Sequence, residues 1–348
     1  MEWPDAKNLL AGPRGRRLCW SLLNPGDYPG WDRVWDGAHA GDLTGLTDEL
    51  PACVARTDLD SIVAHADELT LLAALVVETA MYWQEPDDED LALADQTVRD
   101  ALLPVSQAVI TAPAAGWWSA PAGTARQQYV EWLAPAGSPP SVTGATAELA
   151  AWRAALTEEE QAARTRPKDL TASLSGHWWA TPVPSRLAST TRSLPGIGAV
   201  GLALVEDGLG WKEARCWPME PQTGARIYEI SRPAEWAELV ARYPVDVTNC
   251  RRHDWWRATG WDGHWLIPDF AAVAEDYDAV HLSMAGYLAT AGRALPVDDA
   301  CTVLAGWDPD QTYWLTDMLT LAGPATNWVK FDQEPLGWIL GSVGVQPK

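Results

Sequence analysis

The chain has 348 residues, 47% of them hydrophobic, with 47 acidic against 25 basic side chains and a formal net charge of −22. That acidity excludes a nucleic-acid binder, which needs Lys and Arg for phosphate contacts, and excludes docking on an anionic membrane. The apolar content suffices for one large core or two modest ones and is too high for a disordered chain.

Residues 1–50 read as irregular, being rich in Gly, Pro and Asp. From Asp58 to Trp83, apolar residues recur at three-and-four spacing, which predicts a helix stopped by Pro86. A second helix is expected from Asp88 to Leu103, broken or kinked at Pro104. Residues 134–144, APAGSPPSVTG, read as a linker, and 145–170 as connecting helices, with Thr157-x-x-Glu160 as a capping-box restart.

The texture changes after residue 170. Val200–Val205, Arg226–Ile230, His264–Ile267, Ala279–Ser283, Thr302–Ala305 and Thr312–Leu315 are short and β-rich. Pro233–Arg242, Pro268–Glu275 and Met284–Gly292 read as helices between them. The expected fold class is therefore α+β: a mainly helical region over 1–133, then a domain over 171–348 with a mixed or antiparallel sheet and short helices. The strands are too short and irregular for a doubly wound parallel sheet.

No apolar run reaches the ~18 residues of a spanning helix, and the N-terminal residues show no apolar signal core. The five cysteines, Cys19, Cys53, Cys216, Cys250 and Cys301, are scattered and form no Cys-x-x-Cys pair. Free thiols in a cytoplasmic protein, with no metal site, are the expectation. The composition is unusual in its 22 Trp against 2 Phe, and Arg outnumbers Lys 20 to 5. Most indoles are expected in the core; a subset lining a pocket would stack on flat ligands.

The chain lacks a P-loop, G-x-S-x-G and H-E-x-x-H, and its Gly-rich string Gly196–Gly201, GIGAVG, runs into an apolar stretch with no helix start, so no phosphate site is expected there. Candidate chemistry therefore rests on polar residues that interrupt apolar strands. Over Asp276–Leu288, strand alternation puts His281 and Ser283 on one face, where imidazole and hydroxyl can share an anion, a sugar hydroxyl or a proton. The bland alternative is a hydrogen-bonded core histidine. Arg226 and Tyr228 share a side of another strand, and Asp310 and Gln311 open a third. If these strands are neighbours, Arg226, His281, Ser283, Asp310 and Gln311 would face one cleft. The string RRHDWW places His253, Trp255 and Trp256 among Arg251, Arg252 and Arg257, an arrangement that receives an anion or nucleotide unless the arginines pair internally. Trp307 is a further candidate ligand contact.

The order Arg226, then His281 to Ser283, then Asp310-Gln311 resembles that of the ADP-ribosyltransferase fold, where an Arg or His on a first strand binds NAD and an acidic or Gln-bearing segment closes the site. The resemblance covers about 226–315 and implies NAD as the cofactor; the family's Ser-Thr-Ser and Glu-x-Glu strings are absent from that stretch. The strings YDAVHLSMAGYL and GWDPDQTYWL also resemble uncharacterised proteins of high-GC bacteria. Two functions follow as expectations: a transferase-like enzyme holding a nucleotide or other small polar ligand in its C-terminal domain, or a non-catalytic interaction, immunity or regulatory protein that captures a basic partner. Carbohydrate binding is a third.

Overall fold

The computed structural model describes residues 5–23, 29–78, 82–124, 126–132, 140–183, 186–206, 210–331 and 337–341. The first third is helical: α1 (Ala6–Ala11), α2 (Pro13–Ser21), α3 (Trp31–Ala40), α4 (Leu43–Arg56), α5 (Leu59–Ala64), α6 (Ala66–Glu78), α7 (Asp88–Ala94) and α8 (Gln96–Thr111). The expectation of an irregular start is corrected, because the Gly, Pro and Asp there punctuate short helices. The carboxylates of Asp5 and Asp42 cap α1 and α4, Pro13 opens α2, and Gly41 closes α3 at φ 66°. Pro104 lies inside α8 without ending it; the break falls at Asp95, whose carboxylate caps that helix.

Strands and helices then alternate: β1 (Gln127–Trp132), α9 (Ala145–Ala163), β2 (Ser189–Leu194), β3 (Gly198–Ala199), β4 (Glu213–Pro221), β5 (Ile227–Ile230), α10 (Pro233–Arg242), β6 (Pro244–Asp246), α11 (Thr248–Thr259), β7 (Leu266–Pro268), α12 (Phe270–Asp276), β8 (Ala279–Leu282), α13 (Met284–Thr290), β9 (Leu295–Val297), β10 (Ala300–Thr302), β11 (Gln311–Trp314), β12 (Leu319–Leu321), β13 (Thr326–Lys330) and β14 (Trp338–Leu340). Most of the expected 134–144 linker lies outside the described residues. Helix α9 runs through Thr157 without a restart, the hydroxyl bonding Arg153 O one turn back at 2.8 Å. The apolar run after Ala199 coils instead of forming a strand. Ala203 and Leu204 both donate to Val200 O, which buries Val200, Leu202 and Leu204.

The chain is α+β. Its main sheet runs β14-β13-β4-β1-β2-β11-β8-β5, with β12 alongside β4 and β3 alongside β2. Among the described strands of this sheet only the pair β5–β8 is parallel, joined by the crossover through α10, α11 and α12. Strand β1, from the mainly helical stretch, lies between β4 and β2.

Strand alternation divides the sheet's residues between two faces. One face presents Ile230, Val280, Leu282 and Leu315 to the main core, which also takes in Leu9, Leu18 and Leu288 from the helices. The other carries a smaller core of Ala188, Met219, Ala279, Trp314 and Leu319. Trp118, Trp236, Trp255, Trp265, Trp307 and Trp314 are fully buried, so much of the indole content is core. No helix among the described residues is long and apolar enough to cross a membrane.

Helix α13 lies tight against the end of β5. A Cβ on Gly286 would sit 2.2 Å from Ile230 O and 3.1 Å from Ser231 Cα. Backbone cannot yield as a flexible side chain does, so Gly286→Ala should lower unfolding free energy by about 3 kcal/mol in urea denaturation. An unchanged midpoint would contradict the close approach.

Candidate functional site

The site begins with a row of polar residues across the smaller-core face. Glu229 on β5 is opposite His281 on β8, His281 opposite Thr312 on β11, and Thr312 opposite Thr190 on β2. Arg192, two residues beyond Thr190, shares that face and is opposite Gln127 on β1. Asp310 immediately precedes β11 with φ 60°, a left-handed backbone that Asp adopts more readily than most residues. That turn carries its carboxylate back into the sheet.

These groups form one chain of charge. His281 Nδ1 lies 2.5 Å from Glu229 Oε2, and its Nε2 lies 3.2 Å from Asp310 Oδ1. Asp310 also accepts from Arg192 Nε at 2.5 Å and from the Arg192 backbone N–H at 2.8 Å. His281 and Asp310 are each 1% exposed, while the Glu229 side chain is 18% exposed. Burial alone would lower the His281 pKa. Its hydrogen bonds to Asp310 and Glu229, and their charges, outweigh that and push it up to about 9. Burial pushes the Asp310 carboxyl up, but the His281 bond and charge, with Arg192, hold it below the usual carboxylate range. At neutral pH His281 is therefore an imidazolium, donating from both nitrogens.

Residues 117–124 close over this row. Ala122 N–H donates to Glu229 Oε1 at 3.0 Å, and Arg192 Nη2 donates to Ala120 O at 2.7 Å. Gln127 donates to Ala122 O at 3.0 Å and accepts from Thr190 Oγ1 at 2.7 Å. The Arg192 guanidinium stands 5.3 Å over the Trp117 ring. A cleft of about 760 Å³ beside this cover is lined by Gly123, Gln127, Met219 and Ile227; Glu229 and His281 are not in its wall.

The opposite face of the same strands opens on a second cleft, of about 540 Å³. Gln128, Thr191 and Gln311 form one register row across β1, β2 and β11 in its floor, with Ser189 and Tyr313 in the next row and Trp132, Asp308 and Gly201 around them. The side chains of Gln128, Gln311 and Ser189 make no hydrogen bond to another described residue. Thr191 Oγ1 donates to Asp310 Oδ2 at 3.2 Å, leaving its lone pairs as acceptors. Asp310 thus touches the imidazolium on one side of the sheet and a cleft-lining hydroxyl on the other.

Among the residues expected in one cleft, His281 and Asp310 meet and the others do not. Gln311 belongs to the cleft on the opposite face. Ser283 lies beyond the end of β8, where its hydroxyl accepts from Gly286 N and caps α13, so strand alternation no longer applies to it. Arg226 is held by Asp278 at the start of β5, and Tyr228 points to the main-core side with its hydroxyl on Glu235 O at 2.7 Å. Trp307 is buried against Trp236 and Tyr313, its Nε1 on Gln311 O at 3.0 Å. Trp255 is buried with Nε1 on Trp178 O at 2.7 Å, and His253 is buried with its pKa lowered by burial and by Arg252. Arg251 pairs with Glu159 and Arg257 with Asp254, the internal pairing that was the alternative for RRHDWW. Trp256 alone of that string's aromatic pair lines a cleft.

Glu229 and Arg192 were missed. In Arg226–Ile230 the polar pair Arg226 and Tyr228 shares one parity, and Glu229 lies on the other with Ile227. Arg192 sits in STTRSL, where a charge inside a Thr-rich run was the available signal.

Comparison of the chain with protein-family models, with curated proteins and with solved structures finds no match.

The sign of the pH dependence follows from the raised His281 pKa. Its contribution is complete below the unfolded value of 6.5 and is lost as pH rises through about 9. Asp310 acts oppositely: its contribution is lost as pH falls through its depressed native value. His281→Gln should cost about 3–5 kcal/mol, by leaving the buried Asp310 and the half-buried Glu229 without their shared cation, and should flatten the decline in stability between pH 6.5 and 9. Chemical denaturation of both proteins across that range checks it.

Proposed function

We propose that this chain binds a small, uncharged polar molecule in the cleft over β1, β2 and β11, and that the ionic chain behind Asp310 holds the floor of that cleft. The observation that carries the reading is the register row Gln128, Thr191 and Gln311, with Ser189 beside it. A sheet face that only had to pack would carry apolar residues there. The amides of Gln128 and Gln311 and the hydroxyl of Ser189, without hydrogen-bond partners among the described residues, offer both donors and acceptors, while the rings of Trp132 and Tyr313 offer apolar surface. Sugars and nucleosides have that mixture of hydroxyl or amide edges and flat apolar faces.

Binding is favoured over catalysis by the state of the charges. A general base needs a pKa near the working pH, whereas Asp310 is held below the carboxylate range and His281 already carries its proton. The pair suits fixing the Thr191 hydroxyl as an acceptor better than taking a proton from it. A second reading, capture of a basic partner, draws on the net charge of −22 and on Ile339 and Leu340 exposed at the edge strand β14.

Calorimetric titration with monosaccharides and nucleosides tests the first reading. A binder should lose about tenfold in affinity in Gln311→Leu and again in Gln128→Leu, each removing one net hydrogen bond. Silence across the panel, or binding unchanged in both folded variants, would overturn it. Salt-sensitive capture of a basic protein in its place would favour the second.

A further inference from the structure

A third cleft, of about 650 Å³, lies away from the sheet, where α2 meets the end of α11 and the segment after α13. Its wall holds Arg14, Arg16, Arg257 and Arg293, with Tyr82 and Trp256. Four arginines in one cleft are unexpected in a chain with nearly twice as many acidic as basic side chains.

Two of the four are already committed. Arg14 bonds Tyr287 at 2.9 Å and Glu206 at 3.5 Å, and Arg257 bonds Asp254, Leu174 O and Trp83 O. The other two have no carboxylate within ion-pair distance among the described residues. Arg16, only 9% exposed, gives Nη1 to Leu10 O and Ala11 O at 3.4 and 3.0 Å, and its buried Nε has no partner. Capping the carbonyls at the end of α1 explains Nη1; it leaves Nε unexplained. Arg293 has a single carbonyl contact, Ala289 O at 3.4 Å. Arg99 is near both, and its own buried Nε is also unpartnered.

Burial and then the neighbouring cations lower the pKa of both arginines. Burial, followed by the opposing help of Asp90 and the charges of Arg99, Arg293 and Arg17, brings the Arg16 pKa down to about 10. Burial and Arg99 lower that of Arg293. Arg16 is still charged at neutral pH, so the cleft keeps a desolvated cation with no carboxylate at ion-pair distance among the described residues. Of the acids in the same wall, Asp87 and Asp90 are bound to Arg17, and Glu85 is exposed.

We propose that this cleft is a binding site for a small phosphorylated molecule, with phosphate oxygens received between Arg16 and Arg293 and the rest of the molecule lying along Trp256. Guanidinium forks match oxyanion geometry and are weakly hydrated, so they bind phosphate without the cost of stripping a tight water shell. The site is independent of the sheet cleft, which lacks such a cluster.

Inorganic pyrophosphate is the first probe, added to the full chain at low ionic strength and followed by calorimetry and by melting temperature. Saturable binding that raises the melting temperature, beyond sodium chloride at matched ionic strength, is expected. Arg293→Gln should weaken it at least tenfold while leaving the melting temperature without pyrophosphate unchanged or higher, because it removes a like charge. Arg16→Gln should do the same if it folds; the half-buried Arg293 keeps the test decisive if it does not. Adenosine monophosphate should bind more weakly in Trp256→Ala. No binding of pyrophosphate, a rise no greater than with chloride, or undiminished affinity in Arg293→Gln would overturn the proposal.

Discussion

His281 donates from both ring nitrogens, to Glu229 on β5 and to Asp310 at the head of β11, and Asp310 in turn holds the backbone and the guanidinium of Arg192 on β2. Four strands that are distant in sequence are tied by this one chain of charge. Its outer ends reach the segment over the sheet, through Ala122 N–H on Glu229 and Ala120 O on Arg192. Two anions and two cations alternate along it, so no charge in it lies beside one of its own sign. A buried ion pair is weak as a source of stability but costly to break on one side. Its effect here is to fix which strands neighbour which, and to hold them at one register.

The arrangement also explains the odd conformation of Asp310. By strand alternation an extended residue there would face the Thr312 side alone; with the left-handed turn at φ 60°, the Asp310 carboxylate reaches groups belonging to both faces of the sheet. From that place it touches His281 on one side and Thr191 on the other. The cleft over Gln128, Thr191 and Gln311 thus has a floor whose central hydroxyl is oriented by a group rooted in the sheet's interior. Its neighbours, Gln128 and Gln311, are not so engaged. The helical part contributes separately. Its first two helices pack on α13, and the cleft with Arg16 lies where that packing leaves the chain's scarce cations together.

Class and several elements were legible in the residues. Pro233–Arg242 has a Pro at its start and a clear apolar stripe, and the helix spans those residues. Strands over 279–282 and 311–314 follow from short β-rich runs ended by helix or turn signals. The irregular reading of residues 1–50 fails because short helices carry as many Asp, Gly and Pro at their ends as loops do. Strands β1, β2 and β4 were missed because Gln, Thr, Arg and Pro interrupt them, and such strands exist only by pairing with partners far away in sequence. At the site, alternation put Tyr228 and Glu229 on opposite faces, but no local rule says which face meets His281. The convergence of Glu229, His281, Asp310 and Arg192 is a property of register, set by the whole sheet.

The protonation state of His281 tests this account most directly. Nitrogen-15 NMR of the histidine side chains, with His281→Gln to assign the signal, reads it without reference to stability or ligand. The account predicts an imidazolium that persists through pH 8 and titrates near pH 9. A ring that loses its proton at or below the ordinary histidine value of about 6.5 would contradict it, because neither carboxylate could then be held as described.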